Sequence, residues 1–268
     1  MKAISRLFSL VVFILFPQLA HSGIAGLLPP QDSSNVRTYL DQGNEFSERL
    51  FKNQSALQSY FAALALESNN DEILWRISRT YVDLGEHLPI GTDEEKRQQL
   101  ATYEMALEYA NKALAVDPRC SMAYVRRAIA NGRIALFKGV WESLDLVKQA
   151  KTDLERAIEL DAANSSAYYV LGRTHAKVSE RPRIVRWPLG LGWASLDDAV
   201  EKYEQAIALR PNFIRYRLDC ARAYVELDEY EKARAHLTSI PTLPTMDEDD
   251  DQFRKEATEL LERIREKD

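Results

Sequence analysis

With 268 residues, 46% of them hydrophobic, the chain has enough apolar side chains for a continuous core, which excludes wholesale disorder. Lys+Arg 35 against Asp+Glu 41 gives a formal charge of −6, which repels phosphate backbones on average and argues against broad nucleic-acid binding. Ten Gly and ten Pro are few for a β-sandwich of this length, so helices are favoured.

The first element is a leader. Lys2 and Arg6 precede the apolar run Leu7 to Phe16, and Pro17 is followed by the small residues Ala20 and Ser22. That order predicts a secretory signal cut between Ser22 and Gly23, with an apolar run about half of the ~20 residues a membrane span needs. The alternative is an uncleaved anchor helix. Cleavage removes two cations and leaves a formal charge of −8. The expected location is outside the cytosol, periplasmic or extracellular. Residues 23–35, rich in Gly, Pro, Ser and Asn, read as a flexible lead, and 36–268 as a single domain.

Helical segments then alternate. Tyr39–Arg49, Ile73–Leu84, Met122–Ala135, Ala167–Val178 and Ile214–Leu227 each precede a segment with small residues seven apart. These endings are Ala56…Tyr60…Ala63, Ala106…Ala110…Ala113, Ala150…Leu154…Ala157 and Ala199…Tyr203…Ala206, with a weaker copy at Ala233…Leu237…Ile240. Pro118 and Pro211, five residues past their closing alanines, mark where a helix must stop. Small residues at this spacing let two helix backbones approach closely. Residues 247–267 read as a final capping helix, with Asp247 to Asp251 offsetting its dipole and Phe253, Ala257, Leu260, Leu261 and Ile264 on one face.

This pattern resembles the tetratricopeptide-repeat (TPR) family. The resemblance implies an all-α fold, a TPR superhelix of about five helix pairs with long intra-repeat insertions and a C-terminal capping helix. The insertions are about sixteen residues in 71–118, ten in 121–162 and fifteen in 165–211. Their lengths resemble those of the regulator of microtubule dynamics family over roughly 70–265. That resemblance rests on Leu74 to Arg79, Tyr103 to Ala110, a lengthened turn through Trp141 and the loop from Glu180 to Trp193. Animal members are associated with microtubules and organelle contact sites. The leader predicts export, so the expected inheritance is the fold.

Catalytic chemistry is not expected. His87, His175 and His236 sit in different repeats without a metal-binding motif, so no metal and no cofactor are expected. The acidic run Met246 to Asp251 lacks the turn glycine and distal glutamate of an EF-hand. Cys120 and Cys220 lie two repeat steps apart, each layer advancing about 10 Å, whereas a disulfide needs Cα atoms within about 7 Å. Two free thiols are predicted.

Function is expected in the concave groove. In TPR superhelices the first helix of each pair lines it, which here selects Trp75, Arg79, Val125, Ile129, Arg133, Tyr169, Arg173, Lys177, Arg215 and Arg222. Arg79, Arg173 and Arg222 share one repeat position and would form a ladder suited to an acidic protein or peptide partner. The alternative is that the ladder pairs with Glu72, Asp83 and Glu226 of the groove wall. The insert 181–193, through Arg183, Arg186, Trp187 and Trp193, is expected to be a lid or a membrane-surface contact, or a plug for a long turn.

Overall fold

A computed structural model describes residues 33–267, so the leader and most of the lead lie outside the described residues. Twelve helices follow: α1 (Ser33–Glu48), α2 (Asn53–Leu66), α3 (Asp71–Glu86), α4 (Asp93–Val116), α5 (Ser121–Ala135), α6 (Val140–Leu160), α7 (Ser165–Ser179), α8 (Arg183–Arg186), α9 (Leu196–Leu209), α10 (Ile214–Glu226), α11 (Tyr230–Ser239) and α12 (Asp250–Arg263). No strand occurs among the described residues. Helices α1/α2, α3/α4, α5/α6, α7/α9 and α10/α11 pack as hairpins, each hairpin against the next, and α12 packs on α10 and α11.

Local sequence explains where these helices begin. Asn70 accepts the Ile73 N–H at 3.1 Å to start α3, Thr92 and Glu95 form a reciprocal capping box for α4, and Ser195 accepts the Asp198 N–H to start α9. The alanines of the repeated endings are then buried between helices, Ala56, Ala63, Ala106, Ala113, Ala157, Ala199 and Ala206 completely. Opposite them, Gly43, Gly85 and Gly172 leave room for the rings of Tyr60, Tyr103 and Tyr203. Burial of this set, at roughly 25 cal/mol per Å² of apolar area, is what holds successive hairpins together.

The insertions take a form the sequence reading did not anticipate. Two of them are helix. α4 has 24 residues against 16 in α3, and α6 has 21 against 15 in α5, so α4 outruns its partner by about 12 Å. Trp141 therefore lies in the first turn of α6 rather than in a lengthened loop. Only the third insertion is compact irregular chain, with α8 and a 3-10 turn at Trp187–Leu189. The last helix is also shorter than expected, starting at Asp250. Met246 and Asp247 form a turn whose N–H groups donate to the Asp250 carboxylate at 2.6 and 2.9 Å. Cys120 and Cys220 are free. No helix among the described residues is long and apolar enough to cross a membrane.

Candidate functional site

Helices α3, α5, α7 and α10 pack side by side from one hairpin to the next, and the arginines they carry are answered by the chain's own carboxylates. Arg79 meets Glu48 of α1 at 2.9 Å and Asp83 at 3.5 Å. Arg133 and Arg215, from different hairpins, converge on Glu86, and Arg173 reaches Asp219 at 3.7 Å. Arg222 pairs with Asp219 at 2.8 Å and with Glu256 of α12. Lys177 is exposed and pairs with Glu180 of its own turn. The expected ladder of Arg79, Arg173 and Arg222 is thus paired within the chain: Asp83 is a partner weighed from sequence, while Glu48, Asp219 and Glu256 stand in place of Glu72 and Glu226. Burial works against the charge of Glu86, yet Arg133 and Arg215 hold its carboxyl below the usual range.

The apolar positions also sort differently. Trp75 is half-buried between the guanidinium groups of Arg76 and Arg126, 4.5 and 5.7 Å from its ring centroid. Tyr169 is buried, stacked on Tyr216 at 4.4 Å, and donates its hydroxyl to Asp219 at 2.7 Å. Val125 corrects the groove reading: it is completely buried in the core between α5, α6 and α7. Ile129 packs partly buried beside the same core. The residue after Val125 instead reaches Trp75 and the charges of Arg79 and Asp83.

That residue is Arg126, which periodicity did not select. Its Nε is buried with no hydrogen-bond partner, and the nearest charges include Arg79 and Arg76 as well as Asp83. Burial first, and the Arg79 charge next, lower its pKa to about 10 against the pull of Asp83. Asp83 and the Trp75 ring face this cation, but its Nε has no acceptor.

The chain fills the groove mouth itself. Met246, Asp247, Glu248 and Asp249 face Ser47, Phe51, Arg79, Asp83, Glu86, His87 and Arg215 across a cavity of about 30 Å³, room for a water or two and no side chain. Glu248 accepts from Asn53 Nδ2 at 2.9 Å and lies 3.6 Å from His87 Nδ1, while Asp249 lies 3.4 Å from His87 Nε2. The C-terminal turn thereby meets the first two hairpins.

The 181–193 insert sits elsewhere. Arg186 corrects the lid reading: it is buried and donates to the carbonyls of Arg181, Leu191 and Ala194, at 2.6, 3.3 and 2.6 Å, stapling the insert together. Trp193 packs edge-on to the buried His175 at 4.9 Å and under Lys151, as a plug would. Burial lowers the pKa of His175 although Asp198 opposes it. Arg183 and Trp187 are exposed, Trp187 at 72%, beside Ile184 at 83% and Val185 at 52%.

Stacked helix hairpins with small residues at their crossings and a concave inner face define a TPR superhelix, a class that acts by holding other chains. The chain matches the regulator of microtubule dynamics protein 1–3 family over residues 39–265, and it belongs to that family. It is 29% identical to regulator of microtubule dynamics protein 1 of Bos taurus over 201 residues, 73% of this chain and 62% of the relative. It is 25% identical to regulator of microtubule dynamics protein 3 of Rattus norvegicus over 257 residues, 91% of this chain and 53% of the relative. The chain therefore spans little more than half the length of these relatives. A thermophilic TPR protein of Thermus thermophilus shares the fold with a TM-score of 0.64 at 19% identity, covering 83% of this chain and 98% of that one.

Proposed function

We propose that this chain is an exported, non-enzymatic scaffold that holds an acidic segment of a partner protein in its concave face. The observation that carries the reading is the seating of the chain's own acids, Asp247 to Asp249, among Arg79, Arg215 and His87. A partner's carboxylates would displace this turn, and Arg126, whose buried Nε has no hydrogen-bond partner in the free chain, supplies a further cation. The test uses a labelled synthetic peptide of residues 243–252. It should bind a variant in which Asp247, Glu248 and Asp249 are replaced by Asn, Gln and Asn, bind wild type at least tenfold more weakly, and weaken with salt. Arg126→Gln added to that variant should cost about tenfold. Equal failure to bind in all three proteins overturns the reading.

Export itself is tested at the N-terminus of the native protein. Gly23 supports secretion, whereas a retained Met1 favours the microtubule-associated role that the relatives' names suggest.

A second reading rests on the exposed apolar edge. Trp141 and Lys148 lie seven residues apart on α6, one face and about 10 Å along it, and Lys148 lies against Gly190 of the insert. Trp141, Ile184, Val185 and Trp187 are exposed, as are the cations Lys138, Lys148, Arg181 and Arg183 and the acids Glu142 and Asp145, and in this reading they form one surface. Aromatic and aliphatic side chains with excess positive charge suit an anionic bilayer surface. Flotation with phosphatidylserine vesicles should be lost in Trp141→Ala/Trp187→Ala; flotation unchanged by those substitutions removes this reading.

A further inference from the structure

The penultimate hairpin and the last one meet at three side chains of different chemistry. Glu204 of α9, Cys220 of α10 and His236 of α11 follow one another at intervals of sixteen residues and place one donor atom each in a common space. Glu204 Oε1 lies 3.0 Å from His236 Nε2, Cys220 Sγ lies 3.7 Å from His236 Nε2 and 3.9 Å from Glu204 Oε1. We propose that these three atoms form a binding site for a thiophilic divalent cation, Zn²⁺ foremost.

Geometry carries the proposal. Tetrahedral zinc, with bonds of about 2.3 Å to sulfur and about 2.0–2.1 Å to nitrogen or oxygen, sets its ligands roughly 3.3 Å apart for the N/O pair and roughly 3.6 Å for pairs with sulfur. The three observed separations depart from those values by about 0.3 Å or less. The donors project from three packed helices, so the ligand set is held in place by the same core that buries Cys220 completely and His236 to 9% exposure.

Charge fits a divalent cation, which must draw a proton from the thiol. A thiolate and a carboxylate offset a divalent cation, so the occupied site is neutral where the protein is poorly hydrated. His236 Nδ1 is buried without a hydrogen-bond partner while Nε2 faces the Glu204 carboxylate, so Nε2 carries the hydrogen in the metal-free protein and a cation takes that hydrogen's place. Tyr224 donates its hydroxyl to Glu204 Oε1 at 2.9 Å and stacks on the His236 ring, orienting both ligands. Burial, followed by the Glu204 charge, raises the Cys220 thiol, while Arg217 works the other way. Binding breaks the S–H bond and forms the metal–sulfur bond, with that proton leaving to solvent, and Nε2 sheds its hydrogen in favour of Nδ1. The Glu204 side chain is 44% exposed, so the fourth corner opens to solvent and supplies the route of entry.

The test uses the full chain stripped with a chelator and titrated with ZnCl₂ or CoCl₂ alone. One equivalent of Zn²⁺ should bind with release of protons, and Co²⁺ should give intense tetrahedral visible bands with a thiolate charge-transfer band. Cys220→Ser and His236→Gln should each weaken Zn²⁺ binding at least a hundredfold, while Cys120→Ser leaves it unchanged. A wild-type Co²⁺ spectrum without the thiolate band overturns the proposal whether or not the variants fold, as does equal Zn²⁺ binding by folded Cys220→Ser. The outcome is independent of peptide binding in the groove.

Discussion

Gly172 and Gly132 are both helical glycines, and they should respond to alanine with opposite signs. A Cβ on Gly172 would stand 2.9 Å from the Tyr203 ring and 3.0 Å from the Ala199 carbonyl oxygen, and a carbonyl cannot swing aside as a side chain can. Gly172→Ala should therefore destabilise by about 1–3 kcal/mol. At Gly132 nothing lies within 4 Å, so Gly132→Ala should stabilise by about 0.5–1 kcal/mol. Thermal melts of the pair check both signs. Asp153 makes a third case: 1% exposed, it accepts from Arg127 at 2.8 and 2.7 Å and from Gln149 at 2.8 Å. Arg127→Met leaves that carboxylate largely uncompensated. Arg127 is 24% exposed, so the loss should be about 2–3 kcal/mol, below the range for a fully buried pair, measured by urea unfolding.

Among elements, the turn that closes the groove should answer to pH. At His87, burial disfavours the charge, but the Asp83 carbonyl, Glu248 and Asp249 together raise its pKa. Glu248 is raised as well, by burial ahead of the relief that Asn53 and His87 give it. Both groups bind protons more readily when the turn is docked, so docking is favoured at low pH and loosens as pH rises through the raised His87 value. Amide exchange of Met246 to Asp250 should accelerate across that window in wild type, with a smaller change in His87→Gln. The helix pairs that bracket this turn were legible because alanines seven apart have few other uses, whereas the length of α4 was missed although Thr92-Asp93-Glu94-Glu95 carries its capping box. The bridges were not legible, since Glu86 meets arginines from hairpins that only folding brings near, and Arg126 carries no periodic signal. Glu204, Cys220 and His236 stayed hidden for the same reason: no short motif joins three helices.

At the scale of the molecule, a solenoid is quasi-one-dimensional, with each repeat touching only its neighbours. Such arrays can fray from either end. Here Asn53 and Glu248, 195 residues apart in the chain, share a hydrogen bond, and His87 adds a second tie. The array is fastened into a loop, and loosening one end must also undo the other. Unfolding should then be more all-or-none than the repeat architecture alone would give, with far-ultraviolet dichroism and tryptophan fluorescence reporting coincident transitions. Glu248→Ala opens the fastening, and the two probes should separate, the terminal hairpins melting first. Should they still coincide in the variant, the tie adds nothing to cooperativity. The contact also lengthens the mean sequence separation of native neighbours, so its last step in folding has to wait for nearly the whole chain.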